Sequence, residues 1–281
     1  MSDESLGLLT RAAGSPELGP CVLATLLAGS ADRAVQAAVR SAVPSWLDAA
    51  VRPMRSVGLH GGMAGTLFGL GLITELHPPV SLLAQRVSGW LGERRFEEFD
   101  LISGAAGACL AGYPQPVWFD GEDTGLAHGA AGVLVVSPQP ELVDWLLEQS
   151  FVDQCRQGWC YGMPGIAWAL WTAGARAEAM RYLRILGQTF DPDRNLHGRD
   201  ADRLGICHGA AGVMLIADAF VHAGVDAARG LRDLTHAYLA DRLDLVSTLD
   251  ETLLMGASGV LAALLTVEGA DRRWLRCLGL S

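Results

Sequence analysis

The sequence predicts an all-α fold of the α/α-toroid type, in which a layer of outer helices surrounds a ring of inner helices. Three observations support this: a Gly-x-x-Gly element occurs six times, an almost uncharged segment follows each copy, and amphipathic segments lie between copies. We expect up to seven helical hairpins in a single domain over residues 1–281. Within it the repeats extend over residues 56–267, and residues 1–30 form an N-terminal helix and linker.

The Gly-x-x-Gly element marks the expected start of each inner helix. The segments that follow, such as GIAWALWTAG from Gly165 and GVMLIADAF from Gly212, have the composition of helices buried on all sides. Glycine lets neighbouring helix starts approach closely, so we expect them to crowd together at one end of the ring, here called the mouth. The six pairs are Gly62/Gly65, Gly104/Gly107, Gly129/Gly132, Gly162/Gly165, Gly209/Gly212 and Gly256/Gly259.

The outer layer is predicted from segments that have a helical period and one charged face. ELVDWLLEQSF and ARAEAMRYLRIL are examples of such segments. The stretch YPQPVWFDGEDTG, between the second and third Gly pairs, is too short and too rich in Pro and Gly for an outer helix. We therefore expect one outer helix to be absent or reduced to a loop.

The composition limits which binding partners and which cellular compartment are expected. Charged residues make up 19% of the chain and the formal net charge is −10, so the basic patch expected of nucleic-acid or anionic-membrane binding is not indicated. The acidic start resembles no signal peptide, and the apolar runs are shorter than a transmembrane segment needs. A cytoplasmic protein without a transmembrane segment is expected. Its six Cys residues are then core or metal residues rather than disulfides.

Comparison of the repeats with one another brings reactive side chains to the mouth. The residue before the first Gly of the pair is His128, Tyr161 or His208 in three of the copies. One position further back, two adjacent repeats have Cys160 and Cys207. Asp100 stands four residues before the pair in the second copy. Close packing alone does not require such side chains at equivalent positions, so this pattern predicts a functional site.

Cys160, Cys207 and His208 form a set that suits zinc. Two thiolates and one imidazole leave a fourth coordination position open, as in catalytic zinc sites. Cys21, Cys109 and Cys277 are interpreted as core residues, Cys155 stays open because it lies near Cys160, and His60 is balanced between packing and a role at the mouth. The remaining residues, interpreted as surface or core histidines, are His77, His197, His222 and His236.

The strings GLHGGMAG, DLISGAAG, GLAHGAAG, GWCYGMPG, GICHGAAG and LLMGASG occur in this order. They resemble the signature repeats of the lanthionine synthetase C-like (LanC) family of lanthipeptide cyclases. The resemblance implies zinc bound by Cys160, Cys207 and His208. It further implies four catalytic residues, namely His128 as the active-site histidine, Tyr161, Arg156 and Asp100.

The resemblance also implies a reaction and its partners. A cysteine of a dehydrated, ribosomally made precursor peptide would add to dehydroalanine or dehydrobutyrine and close a thioether ring, with zinc activating the sulfur. A dehydratase and a transporter are the implied partners in a biosynthetic complex. The alternatives are a non-catalytic scaffold that binds leader peptide or dehydratase, and zinc-dependent addition of a free thiol. A carbohydrate-active toroid is disfavoured, because Asp100 is the one carboxylate that the repeats place at the mouth.

Overall fold

The computed structural model describes residues 7–9, 14–52, 56–74, 76–149 and 157–281. Within these ranges the regular secondary structure is helical, without a strand. The all-α prediction is therefore confirmed. No helix in the described part of the chain has the length and apolar character that crossing a membrane requires.

Seven helices of the described residues form a closed inner ring. Each contacts the next along the chain, and the seventh contacts the first. They are almost entirely apolar and are buried on nearly every side, as expected for helices that line the axis of a toroid. The inner helices are Leu18–Leu27, Met63–Ile73, Ala105–Leu110, Ala130–Val136, Met163–Thr172, Ala210–His222 and Ala257–Val267.

The outer layer consists of amphipathic helices, each packed on the inner helix that precedes it in the chain. The short helices Pro192–Asn195, Asp200–Leu204 and Leu243–Val246 connect hairpins, the 3-10 turn Asp226–Ala228 lies within a hairpin, and the 3-10 turn Arg273–Leu278 follows the last inner helix. The outer helices of the described residues are Arg33–Ala50, Val80–Gly92, Pro140–Gln149, Arg176–Thr189 and Arg229–Ala240.

The outer layer is interrupted after the third inner helix. Residues 111–129 contain no helix, as predicted for the Pro- and Gly-rich stretch within them. Phe119 anchors this loop. Its side chain packs edge-on against Phe99 and Trp145, with ring centroids 5.2 and 4.8 Å apart. The flanking inner helices are the shortest, with six and seven residues.

The first inner helix, Leu18–Leu27, begins without a Gly pair. The sequence predicted a helix and linker over residues 1–30, and the structure adds that this helix belongs to the ring. Gly19 permits the contact with the seventh inner helix, because a Cβ there would lie 2.6 Å from the Cβ of Ser258. Six of the inner helices thus begin at a Gly pair, and this first one does not.

The Gly pairs fold each mouth loop tightly over the helix that it starts. The first Gly is the N-cap of the helix in all six copies. The second Gly lies against the carbonyl six residues earlier: a Cβ on Gly165 would be 2.6 Å from the oxygen of Trp159, and one on Gly212 would be 1.9 Å from that of Ile206. Because this contact repeats, corresponding residues of different copies occupy corresponding places at the mouth.

Candidate functional site

Backbone hydrogen bonds join the mouth loops side by side. The N–H of Ala127 donates to the carbonyl of Cys160, and the N–H of Cys160 donates to the carbonyl of Cys207, both at 3.1 Å. Cys207 in turn donates to Leu254 at 2.9 Å. A further Gly, four residues before the Gly pair, allows these loops to approach each other. A Cβ on Gly125 would be 2.5 Å from the Cys160 oxygen. The two cysteines are therefore fixed on adjacent, directly bonded loops.

Cys160, Cys207 and His208 form a cluster with metal-ligand geometry. Their ligand atoms all lie within 4.8 Å of one another. Cys207 Sγ and His208 Nε2 are 3.7 Å apart, close to the roughly 3.6 Å expected between sulfur and nitrogen ligands on a tetrahedral zinc. Sulfur and imidazole donors of this kind are those that zinc prefers. The cluster could therefore bind a metal such as zinc.

The electrostatics of the two thiols also favour a cation. The pKa of Cys160 is lowered to about 5 by hydrogen bonds from Cys207 and His208, despite partial burial. The pKa of Cys207 is raised by its hydrogen bond to Cys160 and by burial, because a second negative charge beside the first is unfavourable. Without a cation the pair holds one negative charge. A bound divalent ion would stabilise both thiolates.

Asp202 faces the side of His208 that points away from the cysteines. Its Oδ1 lies 3.7 Å from His208 Nδ1, and its Oδ2 accepts a hydrogen bond from the backbone N–H of Arg199 at 3.0 Å. Gly198, with φ +100°, brings the chain close enough that a Cβ would be 2.7 Å from Asp202 Oδ2. Metal-bound histidines usually direct their other ring nitrogen at a carboxylate or carbonyl, which fixes the ring. Asp202 fits this orienting role.

Asp202→Asn is expected to weaken zinc binding by about 10- to 100-fold, because the neutral amide no longer favours the His208 ring orientation that presents Nε2 to the metal. Competition with a chromogenic chelator measures the change. Asp200→Asn is the matched control, since Asp200 lies in the same short helix, Asp200–Leu204. Equal zinc affinities for the two variants would show that Asp202 does not orient His208.

His128 and Asp100 form the second polar group at the mouth. Nδ1 of His128 is 2.5 Å from Asp100 Oδ2. The other oxygen of Asp100 accepts from the backbone N–H groups of Ser103 at 2.7 Å and Gly104 at 2.9 Å. The N-cap of the helix Ala105–Leu110 is Gly104, so Asp100 holds the mouth loop that precedes this helix while it contacts His128.

The pKa values of this pair shift in opposite directions. The hydrogen bond to Asp100 raises the pKa of His128 above its usual 6.5, although partial burial opposes this. Burial alone would raise the pKa of Asp100, but hydrogen bonds from His128 and Ser103 outweigh it and lower the pKa below 3.8. His128 is therefore more fully protonated near neutral pH than a free histidine. Its side chain is 58% exposed, whereas that of Asp100 is 8% exposed.

The other predicted site residues differ in where they lie. Tyr161 is exposed beside Cys160 and lines a cavity that opens next to the metal cluster. Arg156 and Cys155 lie outside the described residues. His60 contacts the core instead of facing the cluster: its Nε2 donates to the Cys277 carbonyl at 3.2 Å, and burial lowers its pKa to about 4.

The three cysteines interpreted as core residues lie away from the metal cluster. Cys21 and Cys277 are buried, and burial raises the pKa of both thiols. Cys109 is half-buried and exchanges hydrogen bonds with the backbone of Gln115.

A cavity of about 240 Å³ opens beside the metal cluster. Asn195, His197 and Asp202 line it together with Cys160 and His208, so His197, interpreted from the sequence as a surface or core histidine, lies at the mouth. Asn195, His197 and Asp202 belong to the connection between the outer helix Arg176–Thr189 and the sixth inner helix, HGRDADRLG and the residues before it, where several charged residues occur together. Nothing in that pattern distinguishes Asp202 from an ordinary surface acid, because its role depends on the position of His208.

Comparison with known proteins agrees with this geometry. Residues 144–278 match the family model described as lanthionine synthetase C-like protein. The matched region includes Cys160, Tyr161, Cys207 and His208, while Asp100 and His128 precede it. The matched region is 135 of the 281 residues, so the C-terminal part of the chain is similar to this family.

One solved structure similar to this chain is that of nisin cyclase. The match has a TM-score of 0.71 and covers 99% of this chain and 96% of that chain, at 14% sequence identity. At this identity the likeness shows the fold, and it extends the α/α toroid over nearly the whole chain. No curated protein matches the sequence significantly.

Proposed function

We propose that the chain is a zinc-dependent cyclase that adds cysteine thiols of a dehydrated precursor peptide to dehydroalanine or dehydrobutyrine, forming lanthionine or methyllanthionine rings. The observation that carries this proposal is the cluster of Cys160, Cys207 and His208, in the same mouth as the His128–Asp100 pair. The metal cluster suits the activation of a thiol, and the His128–Asp100 pair suits proton transfer. The addition needs both.

Cys160, Cys207 and His208 would hold the metal, with Asp202 orienting His208. Zinc bound there would stabilise a substrate cysteine as thiolate at neutral pH. The exposed side chain of Tyr161 and the cavity beside it can contact the peptide at the mouth.

His128 is proposed as the acid of the reaction. When sulfur bonds to the β-carbon, the electrons of the carbon–carbon double bond move towards the carbonyl and leave an enolate, which must take a proton at the α-carbon. The thiol gives up one proton and the α-carbon gains one, so the peptide's composition is unchanged. The hydrogen bond to Asp100 raises the pKa of His128, which increases the protonated fraction of its ring near neutral pH, and Asp100 holds Nδ1, which leaves Nε2 as the donor.

Tyr161 and Arg156 are proposed to stabilise the enolate oxygen. A phenolic O–H and a guanidinium can both donate hydrogen bonds to a developing negative charge. Tyr161 adjoins Cys160 in the chain, so its side chain can reach a peptide whose sulfur is bound at the cluster. A ribosomally made precursor is the proposed substrate, a dehydratase and a transporter are the proposed partners, and the cytoplasm is the proposed compartment.

Mass spectrometry of a pool of dehydrated, cysteine-containing peptides tests the proposed activity. With the zinc-loaded protein, we expect the peptide mass to stay constant while the number of thiols that react with N-ethylmaleimide falls faster than in a protein-free control. In a parallel reaction supplied with glutathione, addition of this free thiol would instead increase the peptide mass by the mass of glutathione. Peptides that change no faster than the control, yet bind the protein, would favour the scaffold function.

A further inference from the structure

Residues 272–280, here called the central segment, lie inside the inner ring. Trp274, Leu275, Cys277 and Leu278 are each at most 1% exposed. The segment is fixed at its start, where Arg272 pairs with the buried Asp218 of the sixth inner helix. The indole N–H of Trp274 donates to Thr266 of the last inner helix at 2.8 Å.

Three successive carbonyls of the central segment accept hydrogen bonds from aromatic rings. The carbonyl of Cys277 accepts from His60 at 3.2 Å, that of Leu278 from the indole of Trp159 at 2.9 Å, and that of Gly279 from the indole of Trp168 at 2.7 Å. Carbonyls at the end of a helical turn lack partners further along the helix, and burial makes an unpaired carbonyl costly. The three ring N–H groups provide these partners.

Trp159 differs from the other donors because it immediately precedes Cys160. Its side chain is fully buried, and its carbonyl and Cβ are pressed against two inner helices, since Cβ atoms on Gly165 and Gly212 would lie 2.6 and 2.7 Å from them. Cys160 is in turn bonded through its N–H to Cys207. The backbone that carries Cys160 is thus held on one side by the second cysteine loop and on the other by the indole bond to Leu278.

We propose that Trp159 is a positioning residue for the metal site and that the central segment sets its position through the Leu278 carbonyl. This inference rests on the metal site of the proposed function. The bond joins residues 119 positions apart in the chain. It therefore couples the orientation of Cys160 to the position of the Leu278 carbonyl.

Trp168 provides an internal control for this proposal. Its indole N–H makes the same kind of bond to the next carbonyl of the central segment, Gly279, and its ring packs edge-on against Phe220 at 5.2 Å. It lies inside the helix Met163–Thr172 and not in the loop that carries a ligand. Removing its bond should weaken the packing of the ring centre without altering the geometry of Cys160.

The test compares Trp159→Phe with Trp168→Phe in the full chain. Zinc affinity is measured by chelator competition, and the absorption spectrum of the Co²⁺-loaded protein reports ligand geometry. We expect Trp159→Phe to weaken zinc binding about tenfold or more and to change the cobalt spectrum, while Trp168→Phe keeps both. Thermal unfolding of the two variants shows whether the loss of packing is comparable.

Gly279→Ala perturbs the acceptor side of the bond between Trp159 and Leu278. It is the alternative variant if Trp159→Phe does not fold. Gly279 has φ +70°, and a Cβ would lie 2.9 Å from Val135, so the substitution displaces the neighbouring carbonyls. It should weaken zinc binding in the same direction. Wild-type affinity and cobalt spectrum in Trp159→Phe would overturn this inference and leave the proposed function intact. A wild-type chain that binds no zinc would overturn both.

Discussion

Cys207→Ala is expected to abolish zinc binding and ring formation together. The variant retains Cys160 and His208, which are too few ligands for a stable catalytic zinc site. It also removes the hydrogen bond that contributes most to the low pKa of Cys160, so the remaining thiol is less readily ionised. Metal analysis should find about one zinc per wild-type chain and almost none in the variant, and peptide cyclisation should fall to the uncatalysed rate.

Cys109→Ala is the matched control for this experiment. Cys109 is a half-buried thiol whose Sγ bonds to the backbone of Gln115, away from the cluster. Its replacement should leave the zinc content and the cyclisation rate at wild-type levels. Full zinc content in Cys207→Ala would remove this residue from the ligand set, and cyclisation that persists without zinc would contradict a metal-dependent reaction.

The sequence predicted the ring and its mouth because the information is local. Each second Gly lies against a carbonyl only six residues earlier, as Gly165 does against Trp159, so every copy builds its mouth loop in the same way. This local contact is what allows repeats of one chain to be compared position by position. Cys160 and Cys207 occupy equivalent positions for that reason, and the backbone bond between them follows from it.

The central segment could not be predicted in the same way. Its string RRWLRCLGL has no Gly pair and no clear amphipathic period. Its place inside the ring depends on Asp218, Trp159 and Trp168, which are more than 50 residues distant in the chain. Sequence patterns report neighbours within a helix turn or two, and a segment that fills the centre of a ring is defined by all the helices around it.

The role of Asp202 and the place of the helix Leu18–Leu27 in the ring were not predicted, for related reasons. Leu18–Leu27 joins the ring without a Gly pair at its start, so a search for the repeat does not find it. Asp202 is one of several charged residues in a connecting stretch, and only the fold shows that its carboxylate faces His208. Supporting residues of a site are chosen by distance in space, which the spacing of a motif does not record.

His128→Ala is expected to lower kcat for cyclisation by about 100- to 10,000-fold, the usual contribution of a general acid. Zinc content should stay at the wild-type level, because His128 is not one of the three residues of the metal cluster. Steady-state kinetics on a dehydrated peptide, with parallel metal analysis, checks both statements. Loss of zinc along with activity would mean that His128 supports the metal site instead of transferring a proton.

The pH dependence of the wild type distinguishes an acid from a base at this position. If protonated His128 is the donor, kcat is high below its pKa, which lies above 6.5, and falls as the pH rises through that value. Asp100→Asn removes the main cause of the raised pKa, while an amide oxygen can still accept the hydrogen bonds from the backbone N–H groups of Ser103 and Gly104. The imidazolium is then lost at lower pH, so the alkaline fall in kcat should begin earlier than in the wild type. A rate that increases across this range, in either protein, would make His128 the base that removes the thiol proton.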